Sequence, residues 1–143
     1  MIRGAMNPAD LFRFLEGRRL AVLSTISPEK KPQSALMHVA ITNTLEIVFD
    51  TARTSRKYRN LKANPSVSLV MGWAGEITVQ YEGNARELSG SDLARYQHYY
   101  FEQWPDGRFR AGMPDISYFV VRPRWARYSD YSKTPPDIYE VEF

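Results

Sequence analysis

From Ile77 to Glu87 the chain reads ITVQYEGNARE, apolar and polar side chains alternating with a period of two. Only an extended strand with one buried face uses that period, because successive side chains of a strand point to opposite sides. Gly83 within it predicts a bulge. Shorter runs of strand composition surround this one. They are Leu20 to Ile26, Gln33 to Ile41, Leu45 to Asp50, Ser66 to Met71, Ile116 to Val121 and Trp125 to Tyr131, the last two separated by Arg122, Pro123 and Arg124. The turn chemistry of SPEKKP and of Thr42, Asn43 and Thr44 folds the first runs into an antiparallel meander, and the final IYEVEF alternates like an edge strand.

Three helices interrupt the strands. NPADLFRFLEG carries Asn7 as N-cap, Pro8 at the first helical position, Asp10 in the first turn and Gly17 at the end. ARTSRKYRNLKANP is basic and stops at Asn64 and Pro65. A third starts at Ser89 with Asp92 in capping-box spacing, continues through the stripe Leu93, Tyr96, Gln97, Tyr100, Phe101 and Trp104, and ends at Pro105. The following PDGRFRAGMP reads as a loop. Many short strands with helices inserted at intervals fit a mainly β (α+β) barrel of six to seven antiparallel strands and three flanking helices better than a doubly wound sheet. No repeat, low-complexity tract or boundary divides residues 1–143, which predicts a single domain.

Composition narrows the chemistry. With 43% apolar residues in 143, the chain can build a core without staples, and the absence of cysteine removes disulfide scaffolds, iron-sulfur clusters and thiol catalysis. No run approaches the roughly 20 apolar residues of a membrane span, and MIRGAMNPADLFRF lacks a leader's apolar stretch, so a cytoplasmic location is expected. A net charge of +3 permits an anionic ligand without marking a nucleic-acid binder. There is no glycine-rich dinucleotide fingerprint, phosphate loop, His-Glu-x-x-His pair or Gly-x-Ser-x-Gly elbow. Two histidines, His38 and His98, do not make a metal cluster; His98 reads as a packing or surface residue of the third helix, while His38 lies mid-strand.

The stretch FDTARTSRKYRNLKANP, Phe49 to Pro65, is the most informative. Ser55, Arg56 and Lys57 fall at a helix start, where free backbone N–H groups, the positive end of the helix dipole and two cations coincide, a setting for a phosphate. The other reading makes Arg53, Arg56, Arg59 and Lys62 one solvated face paired to Asp50 or Glu46.

Strand, turn, strand, then FDT, SRK and NPSVSLVMGW resembles the pyridoxamine 5'-phosphate oxidase-like proteins, the FMN-binding split β-barrels, well over residues 20 to 87 and more loosely beyond. The resemblance implies that Arg56 and Lys57 hold the FMN phosphate with Ser55 assisting, that Thr51 beside Asp50 touches the cofactor, and that backbone groups of Ala35, Leu36 and Met37 meet the flavin edge. Thr78 takes the place of a flavin-contacting Gln. Ala35 and Ala40 stand where relatives often carry Arg and Lys, and DIYEVEF replaces a basic Arg-x-His ending, so an FMN-dependent oxidoreductase acting on another small molecule is expected rather than a true pyridoxamine phosphate oxidase. A homodimer with the cofactor between subunits is implied too, with the tyrosine-rich helix or the Trp125 strand covering the partner's flavin. Most of the aromatic side chains should be core or dimer contacts. Alternatives are a flavin carrier or sensor, a deazaflavin-dependent reductase, a haem binder relying on His38, and a barrel that stacks single-stranded nucleic acid along the Arg53 to Lys62 helix.

Overall fold

The computed structural model describes residues 4–143; Met1 to Arg3, part of the segment read above for a leader, lie outside the described residues. In chain order the elements are β1 (Gly4–Ala5), α1 (Pro8–Leu15), β2 (Leu20–Ile26), β3 (Pro32–His38), β4 (Ala40–Ile41), β5 (Ile47–Ala52), α2 (Arg56–Ala63), β6 (Ser66–Met71), β7 (Ile77–Glu87), α3 (Gly90–Gln103), α4 (Gly107–Ala111), β8 (Ile116–Asp130) and β9 (Asp137–Glu142).

Local chemistry sets the helix ends. Asn7 caps α1 by accepting from the Ala9 N–H at 2.8 Å, and Gly17 follows at φ +83°, a conformation that a Cβ disfavours. The Ser55 hydroxyl accepts from the Tyr58 N–H at 3.2 Å to start α2. At α3 the expected capping box does not form. Ser89 makes no side-chain cap, and the Asp92 carboxylate turns instead to Arg86 at 3.1 Å and Arg95 at 3.8 Å.

The sheet runs β1-β9-β8-β7-β6-β2-β3, with β5 joined to both β8 and β4. Every pair is antiparallel except β1 with β9. β3 and β4 are separated only by Val39, so this bent segment carries the sheet from the neighbour of β2 to the neighbour of β5 and curls it into a split barrel.

Four sequence expectations are corrected here. Gln33 to Ile41 is not one strand, because its partner changes at Val39: the Val39 N–H still bonds the Arg19 carbonyl on the β2 side at 2.9 Å, and Ala40 and Ile41 pair with β5. Leu45 belongs to the turn at φ 64° with its side chain buried, and the strand begins at Ile47. The loop after Pro105 contains the short helix α4, making four helices among the described residues. The two last strands flanking Arg122-Pro123-Arg124 are a single strand, β8, and the tail strand β9 has β1 on its outer side.

β8 survives its proline for a topological reason. Its Ile116–Val121 part pairs with β5 and its Trp125–Asp130 part with β9, so residues 122–124 fall where one neighbour hands over to the next. An N–H missing at that point breaks no ladder on that side. On the other side β7 follows the whole strand, absorbing one extra β8 residue as a register shift between Glu82 and Gly83, in line with the bulge expected at Gly83.

Two apolar clusters result. The larger fills the barrel around Tyr81, Phe49, Phe119 and Leu69, with the Tyr81 hydroxyl donating to the Leu45 carbonyl at 2.8 Å. Burial pushes that phenol well above its ordinary range, and the Glu46 charge adds to the effect. The smaller, with Ala40, Val48, Tyr96, Tyr100, Tyr118 and Val120, lies between α3 and β5/β8. The end of α3 closes the gap in the ladder: the Gln103 amide donates to the Ile41 carbonyl at 3.1 Å and accepts from the Ile41 N–H at 3.2 Å, while the Trp104 indole donates to the Val39 carbonyl at 2.9 Å.

A Cβ on Gly83 would lie 2.3 Å from the Arg122 carbonyl oxygen, backbone that cannot swing aside. Gly83→Ala should therefore lower stability by about 1–3 kcal/mol, read as a reduced denaturation midpoint in urea with an unchanged slope.

Candidate functional site

The first turn of α2 stands over the β2–β3 pair. On the β strands, Leu23 opposes Ala35 and Thr25 opposes Gln33. These four residues, with Ser34, Arg56 and Lys57, line a recess of about 130 Å³. Ser55, at the N-cap, shares a 2.9 Å hydrogen bond between its hydroxyl and that of Thr51, which closes the preceding strand.

The charges around α2 divide in two. Arg59 pairs with Glu29 at 2.9 Å, Lys62 with Glu87 at 3.0 Å, and Arg53 donates to the Pro114 carbonyl at 2.9 Å and lies 4.0 Å from Glu87. Arg56 and Lys57 have no hydrogen-bond or ion-pair partner among the described residues. They alone face the recess. Partial burial draws the Lys57 ammonium below its ordinary pKa, and the Asp50 charge partly restores it. A desolvated cation beside an N-terminal helix turn is poised for an anion.

The solvated-face alternative is thus corrected in its partners. Glu46 accepts from the Tyr96 hydroxyl at 2.7 Å, and Asp50 accepts from Arg110 Nε at 3.0 Å and the Tyr100 hydroxyl at 3.2 Å. Neither pairs with an α2 cation. Asp50 therefore commits its carboxylate hydrogen bonds to the α3–α4 side, while its charge still acts on Lys57. Burial, reinforced by the Asp50 charge, drives the Tyr100 phenol far above its ordinary range despite the Arg110 guanidinium beside it.

Of the remaining residues implied by the resemblance, Ala35 is in the recess wall, Met37 points into the barrel core, and Leu36 projects outward from β3, 62% exposed. Ala40 is fully buried in the smaller cluster. Thr78 of β7 is paired with Ser129 of β8 and does not line the recess. The His38 ring stacks on Trp104 at 3.9 Å between centroids, and His98 pairs with Glu102 at 3.1 Å. Trp125 donates to Glu140 at 2.5 Å, while Trp73 is 45% exposed. Among the described residues no group of three or more His, Asp or Glu could hold a metal ion, and no helix is long and apolar enough to cross a membrane.

Two polar anchors missed in the sequence fix α2. Asn60, 2% exposed, donates to Thr25 Oγ1 and to Gln33 Oε1, each at 2.9 Å. Glu87, at the end of β7, accepts from Lys62, from the Tyr58 hydroxyl at 3.2 Å and from Ser117 of β8. The only sequence signal for Gln33 is its i, i+2 spacing from Ala35, which puts both on one strand face.

The profile of the pyridoxamine 5'-phosphate oxidase family matches residues 8–130, and the chain belongs to that family. No curated protein matches it. Among solved structures, a heme binding protein from Mycobacterium smegmatis superposes with a TM-score of 0.80 at 18% identity, over 99% of this chain and 60% of the other. This chain thus spans 60% of the length of that protein. A pyridoxamine 5'-phosphate oxidase-related, FMN binding protein from Nostoc punctiforme gives 0.68 at 12% identity, over 94% of each chain. A putative pyridoxamine 5'-phosphate oxidase from Listeria innocua gives 0.69 at 16%, over 85% of this chain and 96% of that one. At these identities the structural likenesses establish the split-barrel fold.

Glu87 supplies a pH test of the α2 anchor. Burial alone would raise its pKa, but hydrogen bonds from Ser117, Lys62 and Tyr58 and the Lys62 charge together hold it below its ordinary 4.5. A lowered carboxylate pKa stabilises the fold above the unfolded value, and that contribution is lost as pH falls through the folded one. Glu87→Gln should cost about 1–2 kcal/mol at pH 7, with the gap to the parent closing below pH about 4 in urea melts.

Proposed function

We propose that this chain is a homodimeric flavoprotein that binds FMN and acts as an oxidoreductase on a small molecule. The observation that carries this reading is the convergence of two unpaired cations, Arg56 and Lys57, with a helix N-terminus on one recess. Its volume of about 130 Å³ suits a phosphate and the adjoining end of a polyol chain, and is well below the roughly 300 Å³ or more of a pocket enclosing a whole cofactor. The isoalloxazine ring therefore belongs outside the recess, over β3.

That requirement favours a second copy. On the outward face of the sheet, Leu36, Val22 and Val70 form one row across β3, β2 and β6, since Val22 opposes both others in register. Leu36 is 62% and Val70 39% exposed. Such a row is the kind of surface an interface covers.

Within the reading, bound FMN supplies the hydride or single-electron transfer. The protein's part is to bind and orient. Arg56 and Lys57 neutralise the phosphate, the Thr51–Ser55 hydroxyl pair borders the helix turn, and β3 offers main-chain N–H and C=O groups along an edge that has no strand neighbour beyond it among the described residues. The second reading is a haem binder, favoured by a larger mycobacterial structural neighbour that is named for heme.

Purified protein should release FMN on denaturation, identified by mass spectrometry, and show flavin absorption; a haem Soret band, or a colourless protein that refuses added FMN, would overturn the cofactor assignment. Arg56→Ala with Lys57→Ala removes charge-assisted contacts of roughly 1.5–3 kcal/mol each and should weaken FMN binding at least about a hundredfold. Leu36→Asp should shift the sedimentation coefficient from dimer to monomer.

A further inference from the structure

We propose that Gln33 is a third phosphate-contacting residue of the recess, and that Asn60 is the positioning residue that aims it. The inference rests on the FMN reading and names a neutral donor beside its two cations.

The argument follows the amide atoms. Asn60 Nδ2 donates to Gln33 Oε1 at 2.9 Å and to Thr25 Oγ1 at 2.9 Å. Gln33 is therefore held by its acceptor end, and its Nε2, with two N–H donors, has no partner among the described residues. The side chain lines the recess together with Arg56 and Lys57, so the free donors open toward the cavity that the cations face. Asn60 lies one helical turn after Arg56, at i, i+4, on the same side of α2. One buried amide thus ties the helix that carries the charges to the strand that carries the donor.

The arrangement also bears on the missing basic residue of β3. Ala35 shares a strand face with Gln33 and opposes Leu23, leaving that part of the wall apolar and small. Gln33 supplies a donor from the same face without adding charge. A phosphate would then be read by two charges from one side and a fixed amide from the other. Ligands lacking the phosphate would not engage Gln33.

The test compares FMN with riboflavin, which lacks the phosphate, by titrating flavin fluorescence against parent and variants. Gln33→Met removes the donor at similar size and should weaken FMN about tenfold or more, while changing riboflavin less than about threefold. Gln33→Glu keeps an acceptor for Asn60 but brings a negative charge to the recess, and should weaken FMN more strongly still. Asn60→Leu should weaken FMN in the parent background and have no further effect beside Gln33→Met, because it acts through Gln33. An Asn60 that is merely structural would weaken FMN equally in both backgrounds, and that result overturns its positioning role. The Gln33 variants leave the buried Asn60 in place, so they decide the Gln33 contact even if Asn60→Leu fails to fold. A parent that binds FMN, loses it on Arg56→Ala with Lys57→Ala, and keeps it in both Gln33 variants would refute this inference alone. A parent that binds no FMN would instead remove the reading beneath it.

Discussion

A strand has two hydrogen-bonding edges, and the way β8 divides one of them organises the whole molecule. β7 occupies one edge along its length, while β5 and then β9 share the other. The β5 half brings Thr51 and the start of α2 to the barrel and builds the second cluster with α3. The β9 half adds Ala126 and Val141 to the main core. Handing over at Arg122–Arg124 accommodates both a proline and an extra residue, which elsewhere in a sheet interior would break pairing. Gly83 is the counterpart on β7, its missing side chain leaving room for the Arg122 carbonyl.

From this frame the candidate site takes one wall directly from β2 and β3 and its cationic side from α2. The helix is short, eight residues, and an isolated helix of that length is unstable in water. Its position comes from side chains facing three directions. Leu61 enters the main core, Asn60 reaches β2 and β3, and Tyr58 and Lys62 meet Glu87 at the end of β7. Ion pairs occupy Arg59 and Lys62 in this anchoring, which leaves Arg56 and Lys57 as the cations available to a ligand. The division between anchoring and binding charges is therefore made by the strands around the helix rather than by the basic run itself.

How much of this was legible in the sequence follows from range. The cap of α1, the start of α2 at Ser55 and the alternation of β7 depend on neighbours within a few residues, and the sequence displays them. The unity of β8 depends on which strands flank it, so Pro123 read as a boundary. α4 was hidden for a similar reason: its five residues are held where Gly107 packs on the Tyr100 ring, a contact no local pattern encodes. At the site, the adjacency of Ser55, Arg56 and Lys57 made the cationic turn visible. The Asn60–Gln33 contact spans 27 positions and the Asp50–Arg110 pair 60, and a single sequence carries no mark of either. Asp50 stood beside Thr51 in the chain, yet alternation along β5 sends the two side chains to opposite faces.

The side chain of Gln103 has a consequence for how the protein avoids its own kind of trouble. Its amide presents the Ile41 backbone with one donor and one acceptor, the same pair that a neighbouring strand would offer. The end of a helix thereby imitates a strand at a place where the barrel wall is interrupted, and Trp104 seals the next carbonyl. An exposed break in a ladder is a template for pairing with another chain, and here it is occupied from within. The phase of α3 becomes part of the barrel's closure: one residue inserted in that helix would turn Gln103 by about 100° and uncover a sticky seam, so length variation is better tolerated beyond Pro105 than before it.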